Sequence, residues 1–467
     1  MCLQTDRKEK IIEMDEKQQV KDKKQQAQEE KREVRRKRRI RNQILAYVVL
    51  ILLILAAAVG TVMAVKQIAN SARQQEDEEK KESQAMIDNL LSNKDDLQTP
   101  EPEQTQEPTV EMTQEQKLDE IVNAVIEVMP IEDKVAGLFI VTPEAITGVS
   151  NVVKAGDGTK DALSQYPVGG LIYFASNMQS ADQLKEMLYN TVLFARAPLF
   201  IAVDEEGGSV SRLATTGLAE KVDSAGNIGK TGDPNNAYQA GVTIGSALSS
   251  YGFNLDFAPV ADISSVENSY MGDRTYGSDA QTASPYVVSM IQGLKEQNVS
   301  ACLKHFPGNG ATTQDPHTGI ASSDRTAEQF RTEEFVVFQA GIDAGVDMIM
   351  ISHMEAPALT VGSTEPYVPC SLSKAVVTDI LRNELGFDGV IITDALNMGA
   401  ISDYFSSEEA AIYALQAGCD MLLMPENFEE AYNGVLKAVQ NGTISEERID
   451  DALRRIYRIK YADRLAE

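Results

Sequence analysis

Chemistry in this 467-residue chain has few places to start, because it holds only three histidines, His305, His317 and His353. None forms an HxH or HExxH pair, so a hydrolytic metal centre lacks its usual ligand spacing. A GxSxG nucleophile elbow is absent as well. Polar side chains instead cluster where apolar runs stop: Asp204, Glu205 and Glu206 at one, Lys304 and His305 at another, Ser352 and His353 at a third, and Asp394 at the end of GVIITD. A carboxylate placed like Asp394 can attack an electrophilic carbon, provided a second group protonates the leaving oxygen.

Such residues need elements that bring them to one place. Eight short apolar runs recur after about Thr113, at 135–141, 169–175, 198–206, 253–262, 299–308, 346–354, 389–396 and 419–427. Helix-length amphipathic stretches lie between them at 180–195, 236–251, 284–297, 326–344, 374–385 and 407–417, with a last one at 445–461. This alternation predicts an α/β fold, a (β/α)8 TIM-type barrel spanning residues 116–467. An open doubly wound sheet shares the alternation, but no GxGxxG turn follows the first run. Barrels of this kind place their chemistry at the carboxyl ends of the strands, where the polar run ends fall.

The chain carries 43 Lys and Arg against 70 Asp and Glu, a formal charge of −27 that excludes nucleic acid as a partner. Residues 1–43 run the other way, with 15 basic against 9 acidic residues, leaving 28 against 61 for the rest. Between these parts, residues 44–65, opening at Ile44 and closing at Val65, run 22 positions without a charge. At about 1.5 Å per residue a helix of that length crosses roughly 30 Å of hydrocarbon, so one transmembrane helix is predicted. Arg35, Arg36, Lys37, Arg38, Arg39 and Arg41 precede it, which by the positive-inside rule sets the basic arm in the cytoplasm and the barrel outside. A cleaved signal peptide, with Val62 and Ala64 before the cut, is the alternative and would make the protein secreted. Residues 66–115 are rich in Gln and Glu with spaced prolines and read as an extended, disordered stalk. Cys2, Cys302, Cys370 and Cys419 are too scattered for a zinc site or a disulfide framework, and Cys302 and Cys419 are expected in the core.

Four motifs in order carry a resemblance: Asp204 to Gly208 with Arg212; Gly272 to Gly277 around Arg274; Lys304 to Gly308 followed by Asp315 and His317; and Ile392 to Met398 around Asp394. Together they resemble glycoside hydrolase family 3, in its exo-β-N-acetylglucosaminidase branch, over about residues 115–467. The resemblance implies that Asp394 is the nucleophile of a covalent glycosyl-enzyme, with net retention. It implies further that His317, in a loop, is the acid/base and that Asp315 orients it; an imidazole, which titrates near neutrality, suits a group that first gives and then takes a proton. Asp204, Arg212, Arg274, Lys304 and His305 match sugar-binding positions, and no metal or other cofactor is implied. His353 matches a position near a strand end whose role stays open.

Two departures stand out: Asn309 where the family commonly has a histidine, and Ser209 where an arginine commonly follows Glu-Gly-Gly. The second leaves fewer cations near the glycone and bears on substrate preference. The sequence ends after the last barrel helix, so no second domain is expected to complete the site, in keeping with a loop histidine. The implied protein is a membrane-anchored retaining exo-β-N-acetylglucosaminidase acting on carbohydrate, namely peptidoglycan-derived amino-sugar glycosides. A phosphorylase, transglycosylase or other β-glycosidase of the same chemistry is the first alternative. A catalytically silent wall-binding module is the second, and intact Asp394, Asp315 and His317 argue against it.

Overall fold

The computed structural model describes residues 112–360 and 367–462. Each expected run contains one strand: β1 (Phe139–Val141), β2 (Gly170–Ile172), β3 (Phe200–Val203), β4 (Leu255–Asp256), β5 (Ser300–Phe306), β6 (Met348–Ile351), β7 (Val390–Ala395) and β8 (Met421–Leu423). Neighbouring strands pair in parallel in sequence order, and β1 meets β8 with Phe139 opposite Leu422, which closes the barrel. All residues of β1, β2, β3, β6 and β8 are buried. Burial on both faces is why these strands read as unbroken apolar runs rather than as alternation.

Four expected helices form as Ala181–Phe194, Asn235–Tyr251, Ala280–Lys295 and Ser407–Ala417. Ser180, Asp279 and Ser406 start three of them by accepting the backbone N–H of Gln183, Thr282 and Glu409. The expected last helix runs Glu446–Tyr461. Other segments differ from expectation. The stretch 326–344 is two helices, Ala327–Thr332 and Glu334–Asp343, broken at Glu333, whose φ of −125° and ψ of −78° leave the helical region. Residues Ala375–Glu384 form a π-helix. Helices Asp157–Gln165 and Phe428–Gln440 complete the outer layer without having been expected.

The first described helix begins two residues before the expected start of the barrel domain at 116. Helix Gln114–Glu127 starts from a capping box in which Thr113 and Gln116 satisfy each other's backbone N–H. The cytoplasmic arm, the 44–65 span and the stalk up to residue 111 lie outside the described residues. Among the described residues no helix is long and apolar enough to cross a membrane. Cys302, Cys370 and Cys419 are all buried and unpaired by disulfides.

At the amino-terminal end of β8, fully buried Asp420 accepts from Arg382 Nη2 at 2.7 Å and from Arg455 Nη1 at 3.2 Å, with Arg448 Nη1 at 3.6 Å. It also accepts the Ile391 N–H at 3.0 Å. One carboxylate thus ties the π-helix, β7 and the carboxyl-terminal helix to the barrel floor, opposite the end where the chemistry is expected.

Candidate active site

A cavity of about 280 Å³ opens at the carboxyl end of the barrel, and Asp204, Arg212, Arg274, Lys304, His305, His317 and Asp394 all line it. Several elements bring them there. Asp204 follows β3, Lys304 and His305 lie on β5, and Asp394 lies on β7. Arg212 opens the short helix Arg212–Thr216, and Arg274 closes the turn Gly272–Arg274. Asp315, the remaining predicted residue, stands behind His317 rather than on the cavity wall.

An ion-pair network forms one side. Lys304 Nζ lies 2.7 Å from both Asp204 and Glu206, and Glu206 also takes two hydrogen bonds from Arg274, at 2.9 Å from Nε and 2.7 Å from Nη2. Burial opposes the charge on Glu206, but Lys304 and Arg274 outweigh it and pull its pKa down to about 2. Burial likewise opposes the Lys304 charge, and Asp204 and Glu206 hold its pKa above the ordinary value. Arg212 Nη2 approaches Asp204 at 3.7 Å, and its guanidinium lies 5.6 Å from the Phe174 ring centre. Its buried Nε has no hydrogen-bond partner among the described residues, so the cavity wall keeps an unfilled donor.

The histidines are held differently from one another. His305 Nδ1 donates to Asp262 at 2.6 Å, while the other Asp262 oxygen accepts the Asn309 N–H at 2.6 Å. Asn309 Oδ1 in turn accepts from the Ser352 hydroxyl, so this departure from the family pattern keeps a buried, bonded role. His353 Nε2 donates to the Ala395 carbonyl at 3.0 Å and Nδ1 accepts from Ser371 at 2.7 Å, which fixes a neutral tautomer. Burial, outweighing Asp394 and the backbone carbonyls, keeps its pKa below the ordinary value. His353, whose role the sequence leaves open, thus holds the backbone of the residue after Asp394. His317 is exposed, and its Nδ1 lies 2.7 Å from Asp315, which also accepts the His317 N–H at 2.9 Å. Burial pushes the Asp315 pKa up, and the bonds and charge from His317 more than reverse it.

Asp394 is buried except for its cavity edge, and Ala395 N–H donates to it at 2.7 Å. Burial would raise its pKa; His305, together with the Ala395 N–H, overcomes that and holds it below the usual 3.8. An ionised carboxylate in a walled cavity can act as a nucleophile, and the His317 to Asp315 pair can move a proton. Sequence reasoning left Glu206 and Asp262 off the list of site residues. Both close expected apolar runs, 198–206 and 253–262, so the signal that found Asp394 could have found them. Ser209 sits exposed at the turn of the ribbon Glu205–Gly207 and Val210–Ser211, and is not on the cavity wall.

Residues 130–459 match the Glycosyl hydrolase family 3 N terminal domain. The chain is 31% identical over 326 residues to Beta-hexosaminidase A of Pseudoalteromonas piscicida, covering 64% of this chain and 54% of that protein. It is 35% identical over 277 residues to a Beta-hexosaminidase of Nitrosomonas eutropha, covering 57% of this chain and 77% of that one. A solved glycoside hydrolase family 3 beta-N-acetylglucosaminidase from Paenibacillus sp. str. FPU-7 superposes with a TM-score of 0.68 at 33% identity, over 73% of this chain and 64% of the other. The chain thus spans about half the length of the Pseudoalteromonas protein, 54%, and 64% of the Paenibacillus structure.

Proposed function

This chain belongs to glycoside hydrolase family 3, and from that premise we propose that it is a retaining exo-β-N-acetylglucosaminidase, anchored in the cell membrane and acting outside on peptidoglycan-derived amino-sugar glycosides. The observation that carries the reading is one cavity lined by ionised Asp394 and by His317, the latter bonded to Asp315 at 2.7 Å. The names of the relatives above support the amino-sugar preference.

The chemistry follows from which atoms are free. Nδ1 of His317 is held by Asp315, so Nε2 faces the reaction. In the first step an Asp394 oxygen bonds to the anomeric carbon as the bond to the aglycone oxygen breaks. Imidazolium Nε2–H gives that oxygen its proton, and Asp315 stabilises the cation beforehand. In the second step neutral Nε2 takes a proton from water, whose oxygen displaces Asp394 from the anomeric carbon. Two displacements return the original configuration. Asp204, Lys304, His305 and Arg212 supply hydrogen-bonding groups for a hydroxyl-rich glycone, each of whose buried hydroxyls needs a partner.

The uncharged segment 44–65 behind a basic arm supports the anchor, and the proline-spaced stretch 66–111 supports a tether to the wall. A second reading, phosphorolysis, is favoured by the same histidine: a neutral or cationic acid/base does not repel phosphate as a carboxylate would.

The test is hydrolysis of nitrophenyl N-acetyl-β-glucosaminide and nitrophenyl β-glucoside by the full chain in detergent, with and without phosphate, for wild type, Asp394→Ala and His317→Ala. Turnover of the amino sugar is expected, with a loss of about a thousandfold or more for Asp394→Ala and about a hundredfold for His317→Ala. Release of the β-anomer first, followed by proton NMR, marks retention. Rate increase with phosphate and a glycosyl phosphate product would favour the second reading, and a folded protein inert on both substrates would overturn the proposal.

A further inference from the structure

The loop that carries Asp315 and His317 leaves β5 and returns at helix Ala327–Thr332. Its two stems are pinned. On the outgoing side, Gly310 lies so close to the Ile263 carbonyl that a Cβ would collide with it, and Asn309 N–H is held by Asp262. On the returning side, residues 321–323 pair with Glu355: the Glu355 N–H donates to Ala321 O at 2.7 Å and the Ser323 N–H to Glu355 O at 3.0 Å. Nearer the tip, the Ala400 N–H donates to Pro316 O at 3.3 Å.

One side chain reaches both stems. The break at Glu333 turns Glu334 inward, and its side chain is 1% exposed. Oε1 accepts from Ser265 Oγ at 2.7 Å and lies 3.1 Å from Arg325 Nε, while Arg325, itself 10% exposed, also reaches Glu333 at 2.5 Å. On its other side Glu334 packs on Gly308, where an added Cβ would stand 2.5 Å from Cγ. Gly308 takes a φ of 137°, which other residues rarely adopt. The second carboxylate oxygen, Oε2, is buried and has no hydrogen-bond partner among the described residues. A buried carboxylate with only one oxygen satisfied is costly for a purely structural joint, where an apolar side chain would pack without that cost.

We propose that Glu334 is a positioning residue for the acid/base: by joining Arg325 on the returning stem to Gly308 on the outgoing stem and to Ser265 beside them, it sets where His317 meets the leaving oxygen. This rests on the reading of His317 as the acid/base. Glu334 touches no substrate and acts only through the loop. Burial, only partly offset by Ser265 and Arg325 and reinforced by Glu333, lifts its pKa to about 7, so its ionisation costs folding free energy. Glu334→Gln, which keeps the shape and sheds the charge, is therefore expected to fold as stably as wild type at pH 8.

The experiment measures kcat/KM of the full chain at pH 8 on dinitrophenyl, nitrophenyl and phenyl N-acetyl-β-glucosaminides, whose leaving groups need progressively more protonation. His317→Ala, Glu334→Gln and Arg325→Met are compared with wild type. Glu334→Gln and Arg325→Met are expected within about threefold of wild type on the dinitrophenyl substrate and down about tenfold or more on the phenyl one, a part of the roughly hundredfold or more that a general acid supplies. His317→Ala should show the same steepening, larger. Equal loss by Glu334→Gln on all three substrates, or no loss on any, would overturn the inference while leaving the function standing. No steepening in His317→Ala would overturn the acid/base reading and this inference with it.

Discussion

Lys304 lies between two carboxylates, and the more deeply buried of them, Glu206, holds Arg274 as well. Replacing Glu206 by Gln leaves two cations facing one fewer anion in a buried place, a change that costs about 3 kcal/mol or more. The pH dependence has a definite sign. With its pKa lowered from 4.5 to about 2, Glu206 stabilises the fold fully above about 4.5, and that contribution is lost as pH falls through about 2. Thermal unfolding of wild type and Glu206→Gln should therefore differ most at pH 6, with the gap narrowing below about pH 4.5 and closing as pH approaches 2; a gap independent of pH would mean the carboxylate's charge is not what matters. Glu206 carried a signal in the sequence, since it ends the run 198–206, although it is absent from the expected site residues. The role of His353 was not legible, since a histidine at a strand end reads alike whether it faces a cavity or, as here, holds the Ala395 carbonyl. Only the positions of its two partners separate the cases.

Among the elements, the least regular ones aim the side chains. The ribbon Glu205–Gly207 and Val210–Ser211 turns the chain back after β3, and its buried Glu205 accepts the N–H groups of Leu213 at 2.7 Å and Ala214 at 3.2 Å. Those are the first turn of the helix that begins with Arg212, so Glu205 holds Arg212 on the cavity wall without touching the cavity itself. Glu205→Ala should raise KM about tenfold with kcat changed little, and cost about 1–3 kcal/mol for the two donors left unpaired. An unchanged KM would mean that Arg212 is held by Phe174 and Asp204 alone. Strands and most helices followed from run length and capping residues, whereas the break at Glu333 did not: residues 326–344 keep a helical pattern across it, and Glu334 turns inward only because Arg325, Ser265 and Gly308 lie there. A local pattern carries no record of partners brought in from other parts of the chain. The ribbon was hidden for a second reason, being too short to register as strands of its own.

In the whole barrel, stability and chemistry occupy opposite ends, as the architecture allows. The upper rim gathers charges in a cavity, whereas the floor buries Asp420 among Arg382, Arg448 and Arg455 and so binds the last helix to the sheet. The barrel as a whole was legible because its strands are buried on both faces and recur as continuous apolar runs. The floor was not, because an aspartate near the start of the run 419–427, ahead of its apolar stretch, looks like any solvated turn until three arginines from distant parts of the chain converge on it. Its removal should act on the molecule and spare the site. Asp420→Ala is expected to destabilise the fold by about 3 kcal/mol, since it removes a fully buried anion from three partly buried guanidinium groups. Below its unfolding temperature the variant should keep a kcat/KM within about twofold of wild type, in contrast to Glu205→Ala, whose stability loss comes with a rise in KM. Calorimetry together with steady-state kinetics on the two variants separates these outcomes: a fall in kcat/KM for folded Asp420→Ala would show that the floor transmits to the rim, and that the two ends are not independent.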